Sequence, residues 1–182
     1  RRMWTKMSLY DESARIPMLM SGPQIPKAET VETLASLVDI YPTVLQALGA
    51  EDDDIHRPGL SLQSVIDGAG TDRAVLSEYH DGGSPVGMFM LRTDKWKYNC
   101  YPGYPPELFD MANDPDELCD LSQDLAHAGD LKRCHDKMRA LLDPSAANDL
   151  AFADQAQLIE QLGGVETIIN SEEFDHTPTH SG

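Results

Sequence analysis

The side chains that could do chemistry in this sequence are few and lie far apart along the chain. Lys6 stands in the stretch MWTKMSLYDES, between Trp4 and Tyr10. Bulky neighbours of this kind can hold an ammonium group as a fixed positive charge for an anionic ligand. An ordinary surface lysine explains the same residues, and composition alone favours that simpler interpretation.

A second candidate is the stretch SEYHDGG at 77–83, which contains Glu78, His80 and Asp81. It follows a predicted strand and ends in two glycines, and loops at the ends of strands often carry binding residues. An imidazole there could donate a hydrogen bond or exchange a proton near neutral pH. A plain turn accounts for the same pattern.

The remaining candidates are weaker. The acidic run at 52–54 is more typical of a solvated loop than of a metal site, and the tail that contains His176 and His180 has the polar composition of a disordered segment. The sequence contains no GxSxG, HExxH or phosphate-loop motif. The residues alone therefore define no complete catalytic site.

Three cysteines occur without CxxC spacing, so the sequence indicates neither a disulfide framework nor a zinc site. These are Cys100, Cys119 and Cys134. We expect reduced structural thiols.

Charge and hydropathy exclude several classes of partner. The 182 residues include 14 Lys and Arg against 31 Asp and Glu, a net charge of −17, and such a chain repels nucleic acid and anionic lipid. Apolar runs fall well short of the roughly 20 residues that span a bilayer. We therefore expect a soluble chain, with the cytoplasm favoured, although no residue fixes the compartment.

The elements that must position these side chains begin with a mixed region. The apolar run at 15–20 predicts a buried strand that ends at Ser-Gly-Pro. The stretch 39–49 predicts a helix, with Asp39 as its N-cap, Pro42 in its first turn and Gly49 as its stop. A short capped helical turn follows at 61–68.

The second half of the sequence predicts an antiparallel meander covered by a helix. Four strand-like runs are separated by turn residues, and they lie at 73–79, 86–93, 95–101 and 107–111. The helix predicted at 130–142 has an apolar stripe able to cover this sheet, formed by Leu131, Cys134, Met138, Leu141 and Leu142. A further helix is predicted at 148–164, before the polar tail.

Several stretches, taken in order over roughly residues 1–125, resemble the C-terminal part of the sulfatase family of the alkaline-phosphatase-like superfamily. They are WTKMSLYDESARIPMLMSGP, LVDIYPTVLQALGA, RPGLSLQSVI, LSEYHDGGSPVGMFMLRTDKWKY and PPELFDMANDPDELCDLS. The last two stretches are most similar to the choline-sulfatase and phosphonate-monoesterase branch.

The resemblance implies roles for two residues. Lys6 matches the family lysine that reaches the sulfate of the substrate, and a fixed cation there would stabilise the charge that builds in the transition state. His80 would lie at the substrate mouth and contact the alcohol part of the substrate or its leaving oxygen. Tyr10 and Arg15 would hold the lysine loop against the strand predicted at 16–20, without a catalytic role.

The resemblance also implies that essential parts lie outside this sequence. The family nucleophile, a formylglycine made from Cys or Ser in a C/S-x-P-S/A-x-R motif, and the ligands of a divalent cation (Ca, Mn or Mg) would lie upstream, and no metal ligand is assigned in this chain. We therefore expect residue 1 to be a break point within a larger enzyme. The chain alone would be inactive, and its partners would be the missing N-terminal lobe and a small-molecule sulfate ester.

The expected fold is α/β and alkaline-phosphatase-like. Residues 1–68 would be the end of the large catalytic α/β domain, 69–143 a small α+β subdomain with an antiparallel sheet covered by a helix, and 144–182 a helical extension and polar tail that could add an oligomer contact. Two alternative functions stay open. One is a phosphate or phosphonate monoester hydrolase, and the other is a non-catalytic acidic module for binding or oligomerisation.

Overall fold

A computed structural model of the chain describes residues 7–51, 56–80 and 84–170. Its centre is a four-stranded antiparallel sheet in the order β1-β2-β3-β4. The strands are β1 Val75–Tyr79, β2 Met88–Arg92, β3 Trp96–Cys100 and β4 Glu107–Asp110. The predicted meander is therefore confirmed, since each strand falls within its predicted run.

One face of the sheet is covered by helix α4, Ala128–Leu141. Phe89 and Leu91 of β2 point to this face, as the two-residue period of a strand requires, and both are fully buried. Cys134 and Met138, one helical turn apart, pack against them. The predicted covering stripe is confirmed at these two positions and at the partly buried Leu131 and Leu142, whereas Leu141 is largely exposed.

The opposite face of the sheet is covered by the first described residues of the chain. Leu9 is buried against Met88 and Met90 of β2, and the single-turn helix α1, Asp11–Ala14, follows it. Because both faces are covered, residues 88–91 are all buried. The stretch that follows Lys6 is thus part of the same packed unit as the sheet.

Two further short helices precede the sheet in sequence. Helix α2, Ile40–Leu48, ends at Gly49, whose φ of 65° is the left-handed conformation that glycine adopts at helix ends. Helix α3, Leu62–Ile66, is capped by Ser61, whose side chain accepts a hydrogen bond from the Ser64 amide at 3.1 Å. Both helices lie where the sequence predicts them.

Asp39 stands at the N-cap position of α2 as predicted, but its side chain makes no capping hydrogen bond to that helix. Its carboxylate is fully buried, and both terminal nitrogens of Arg73 donate to it, at 2.8 and 2.9 Å. The amides of Ser36 and Leu60 donate to the same carboxylate at 2.8 and 2.9 Å. Asp39 therefore joins the 3₁₀ turn Leu37–Asp39 to the residues that enter β1.

The predicted strand at 15–20 is wrong. These residues form no strand, and Leu19 is 96% exposed. An apolar run becomes a strand only where a neighbouring strand pairs with its backbone groups. In the described sheet the four strands pair only with their neighbours in the order β1-β2-β3-β4, and residues 15–20 are not among them. The predicted role of Tyr10 and Arg15 in holding the lysine loop against that strand is wrong for the same reason. Tyr10 contacts β4 instead.

The C-terminal helices are α5, Pro144–Gln161, and α6, Val165–Asn170. Helix α5 begins four residues earlier than predicted because Pro144 occupies its first turn, where a proline is tolerated. The side chain of Asp143 caps it by accepting from the amides of Ser145 and Ala146. Within the described ranges, no helix has the length and apolar character needed to cross a membrane.

Candidate functional site

The stretch that follows Lys6 is held on the sheet by both apolar and polar contacts. Lys6 itself lies outside the described residues. Leu9 is 4% exposed, and the Tyr10 hydroxyl donates to Glu107 Oε1 of β4 at 2.6 Å. The Tyr10 ring also meets Phe109 edge-on, with 6.0 Å between ring centroids. The chain is therefore fixed within four residues of the candidate lysine.

The Glu107 carboxylate accepts hydrogen bonds from several side chains on this face of the sheet. Besides Tyr10, the Tyr101 hydroxyl donates to Glu107 Oε2 at 2.7 Å and the Asn99 amide nitrogen donates to it at 3.1 Å. Burial and the hydrogen bond to the carboxylate raise the pKa of Tyr101, so its phenol stays protonated as a donor. These bonds satisfy the Glu107 carboxylate and both tyrosine hydroxyls without a ligand, whereas the buried Asn99 Oδ1 has no hydrogen-bond partner among the described residues.

A buried cation lies next to this group. The Lys97 side chain of β3 is fully buried, and its Nζ lies 2.7 Å from Asp11 Oδ1 and 2.7 Å from Glu117 Oε1. Glu117 Oε2 also accepts a hydrogen bond from the Asp11 amide at 2.7 Å. Three residues that are distant in sequence therefore meet at the start of α1.

His80 lies directly after β1. Its Nε2 is 3.2 Å from Glu78 Oε2, and its ring meets Phe89 edge-on at 5.1 Å between centroids. Gly87 makes this contact possible, because a Cβ at that position would lie 2.8 Å from His80 Cε1. The imidazole is 28% exposed, so it packs on the sheet and still reaches solvent.

A small cleft of about 50 Å³ opens beside His80, between the β1–β2 connection and α5. Its walls include Ser84, Phe152 and Gln155. Asn148 of α5 closes one side, where its Oδ1 accepts a hydrogen bond from the Gly87 amide at 2.8 Å. The cleft has room for water or for one small polar group rather than for a whole substrate.

The structure does not bring His80 next to the residues that follow Lys6. His80 contacts Phe89, whereas Leu9 contacts Met88 and Met90, and neighbouring residues of a strand point to opposite faces. His80 and Leu9 therefore lie on opposite sides of the sheet. Asp81, the acidic run at 52–54, His176 and His180 lie outside the described residues.

The sequence did not indicate Asp11, Lys97 or Glu117 as site residues. A lysine in the middle of an apolar strand was the one available signal, because an inward-facing ammonium needs carboxylates around it. Which carboxylates surround the ammonium depends on the packing of residues separated by up to 106 positions in sequence.

No metal centre is evident in the part of the chain that the structure describes. Within it, no group of three or more His, Cys, Asp or Glu side chains is placed to hold a metal ion. These residues therefore do not fit the divalent cation that the family resemblance implies. The assignment of its ligands to an upstream region stays a prediction.

Comparison with known proteins identifies the chain's relatives. The family model described as N-sulphoglucosamine sulphohydrolase, C-terminal, matches residues 1–143. Arylsulfatase K of Gallus gallus is 38% identical over 133 residues, which are 66% of this chain and 25% of that protein. Arylsulfatase K of Homo sapiens is 36% identical over 133 residues, with the same coverage of 66% and 25%. The chain thus spans about a quarter of the length of these relatives.

A solved structure supports the same relationship. The structure of a 2-O GAG sulfatase superposes with a TM-score of 0.63 at 27% identity, over 83% of this chain and 33% of that one. The fold is thus α/β and alkaline-phosphatase-like, with the antiparallel sheet and covering helix of a C-terminal subdomain. Sequence and structure agree that this chain belongs to the C-terminal sulfatase family typified by N-sulphoglucosamine sulphohydrolase.

Proposed function

We propose that this chain is the C-terminal part of a sulfatase, a metal-dependent hydrolase of sulfate monoesters, and that Lys6 binds the sulfate group of its substrate. The family match over residues 1–143 carries the proposal. The anchoring of Leu9, Tyr10 and Asp11 on the sheet supports it, because a cation stabilises a transition state best when it is fixed beforehand.

The charge change in the reaction explains the use of a lysine. Cleavage of a sulfate ester places growing negative charge on the leaving oxygen, and a nearby ammonium stabilises that charge more strongly than it stabilises the ester. The chain as a whole is strongly acidic, with a net charge of −17. A sulfate would therefore need a local cation to approach this surface.

His80 is proposed to contact the alcohol part of the substrate or its leaving oxygen. Its partly exposed imidazole beside the cleft near Gln155 supports this role. Because it lies on the other side of the sheet from Leu9, the contact requires a substrate that extends around the β1–β2 end. The proposal for His80 thus favours a substrate larger than a simple aryl sulfate.

The remaining chemistry is proposed to come from residues upstream of this sequence. A formylglycine and a divalent cation held there would supply the nucleophile and polarise the sulfate. The chain alone is then expected to be inactive and to act together with that N-terminal lobe. Four further points stay predictions. They are the division at residues 68 and 143, the nearness to the choline-sulfatase and phosphonate-monoesterase branch, the cytoplasmic location and a homo-oligomer.

The test is turnover of 4-nitrophenyl sulfate by the full-length protein that contains this sequence. We expect Lys6→Ala to lower kcat/KM by about 10²-fold, the loss typical for one transition-state donor. Lys27→Ala, at an exposed lysine, is the matched control and should leave kcat/KM unchanged. His80→Ala should mainly raise KM for sulfated saccharides.

The outcomes separate the competing functions. Unchanged turnover in Lys6→Ala would remove Lys6 from the site. Faster turnover of 4-nitrophenyl phosphate or of a phosphonate monoester than of the sulfate would favour the alternative hydrolase. No turnover of any of these esters by the wild-type protein would leave the non-catalytic binding module as the better explanation.

A further inference from the structure

The face of the sheet that carries Leu9 contains a buried ammonium that hydrophobic packing does not explain. Lys97 lies on β3 with its side chain fully buried, on the same side of the sheet as Met88 and Met90. An unpaired ammonium at such a position would be strongly destabilising. Its two carboxylate neighbours, Asp11 and Glu117, each at 2.7 Å, therefore determine whether this packing is possible at all.

Stability alone gives no reason for this arrangement. A buried ion pair loses about as much solvation energy as it gains in attraction, and an apolar side chain of similar size often serves as well. In some proteins such a pair instead specifies one conformation, because a buried charge accepts few alternative placements of its partners. Lys97 thus specifies where the Asp11 carboxylate lies.

Glu117 shows that the protein maintains this geometry against backbone strain. Its φ is 52°, a left-handed conformation that costs a residue with a Cβ about 1 kcal/mol or more. The turn is held by Asp114, whose carboxylate accepts from the amides of Leu118 and Cys119 at 3.0 and 2.9 Å. The result is a Glu117 side chain that is 1% exposed and directed to Lys97.

Glu117 also fixes the backbone of the N-terminal stretch. While Oε1 lies next to Lys97, Oε2 accepts the hydrogen bond from the Asp11 amide at 2.7 Å. Lys97 thus holds the side chain of Asp11, and Glu117 holds its main chain. Four residues separate Asp11 from Lys6 in sequence, and two of them, Leu9 and Tyr10, are packed on the sheet.

We propose that Asp11, Lys97 and Glu117 are positioning residues that hold the stretch after Lys6 in one conformation and thereby fix the Lys6 ammonium for the sulfate group. This inference rests on the proposed function of Lys6. The three residues act through Lys6 and contact no reacting atom. Loss of the Asp11 carboxylate should therefore loosen residues 7–14 first and affect turnover through Lys6.

The first experiment measures the conformation directly. Asp11→Ala in the full-length protein removes one ion pair but leaves Lys97 paired with Glu117, so no buried charge is left alone. We expect amide hydrogen exchange in residues 7–14 to rise at least about tenfold while exchange in β2 and β3 is unchanged. Asp136→Ala, which removes the exposed Lys132–Asp136 pair, is the control and should alter neither region.

The second experiment is a double-mutant cycle on kcat/KM for 4-nitrophenyl sulfate. We expect Asp11→Ala to lower kcat/KM about tenfold when Lys6 is present, since small misplacements of a catalytic group are costly. In the Lys6→Ala background the same change should have less than about a twofold effect. A merely structural role for Asp11 would lower kcat/KM equally in both backgrounds.

Each outcome decides a separate point. Unchanged exchange in residues 7–14 would overturn the positioning role, and equal losses in both backgrounds would show that Asp11 does not act through Lys6. If Lys6→Ala alone leaves turnover unchanged, the proposed function of Lys6 fails, while the exchange result still decides whether Asp11 holds the stretch. Should Asp11→Ala not fold, Asp11→Asn keeps an acceptor for Lys97 without the charge and serves in both experiments.

Discussion

At the scale of single residues, the three cysteines differ in their surroundings and should differ in reactivity. Burial, with the nearby Asp130 carboxylate, raises the pKa of Cys134 to about 11, and Cys134, on the side of α4 that faces the sheet, is 4% exposed. Burial also raises the pKa of the half-buried Cys100, whereas Cys119 is exposed. Only a thiolate attacks a thiol reagent.

We therefore expect iodoacetamide at pH 8 to label Cys119 first and to leave Cys134 unmodified in the native protein. Peptide mass spectrometry over a time course measures the order, and labelling in urea, where all three thiols should react, is the control. Modification of Cys134 as fast as Cys119 would show that α4 does not cover the sheet as described.

The residue scale also shows what sequence reasoning could reach. Lys6 and His80 were proposed from local context and family resemblance, and both proposals are still untested by the structure. The partners of Lys97 could not be predicted, because Asp11 and Glu117 are two of 31 acidic residues and nothing local distinguishes them. Three-dimensional packing alone selects them.

At the scale of elements, the pair between Asp39 and Arg73 joins α2 to the approach of β1. Burial by itself raises the pKa of Asp39, but the hydrogen bonds from Arg73, Leu60 and Ser36 outweigh it and hold that pKa below its usual value. A carboxyl group with a lowered pKa in the folded state stabilises the fold above its unfolded pKa of about 3.9. This contribution is lost as the pH falls through the folded value.

We expect Asp39→Asn to lower the free energy of unfolding by about 3 kcal/mol at pH 7, as for other broken buried pairs. The difference from wild type should shrink as the pH falls below about 4. Urea unfolding followed by circular dichroism at several pH values measures it, with Asp136→Asn at an exposed pair as the control. A difference that stays constant down to pH 3 would contradict this assignment.

Elements were predictable where the signal was local. Alternating strands with turn residues between them gave the meander, and Gly49 ended α2 as predicted. An aspartate directly before a helix is compatible both with an N-cap and with a buried ion pair. The role of Asp39 could therefore not be decided from sequence. The run at 15–20 has strand composition, but strand formation depends on a neighbour that local sequence does not reveal.

At the scale of the whole molecule, apolar exposure is unevenly distributed. The sheet is covered on both faces, whereas residues 16–48 leave several large apolar side chains exposed, among them Leu19, Val44 and Leu48 at 96%, 50% and 75%. An apolar groove of about 300 Å³ also runs between residues 18–35 and α3. Exposed apolar surface of this extent is typical of an interface.

We therefore expect a preparation of residues 1–182 alone to self-associate through this surface. The net charge of −17 opposes association at low salt. Added salt screens that repulsion and leaves the apolar contact intact. The associated fraction should therefore rise between about 20 and about 300 mM NaCl. Sedimentation velocity measures it. Leu19→Glu should reduce association. The control is Leu125→Glu, at a leucine that is 91% exposed beside α4. It adds the same charge outside the groove region and should leave association unchanged. Equal effects of the two changes would mean that net charge, rather than the surface at 16–48, governs association.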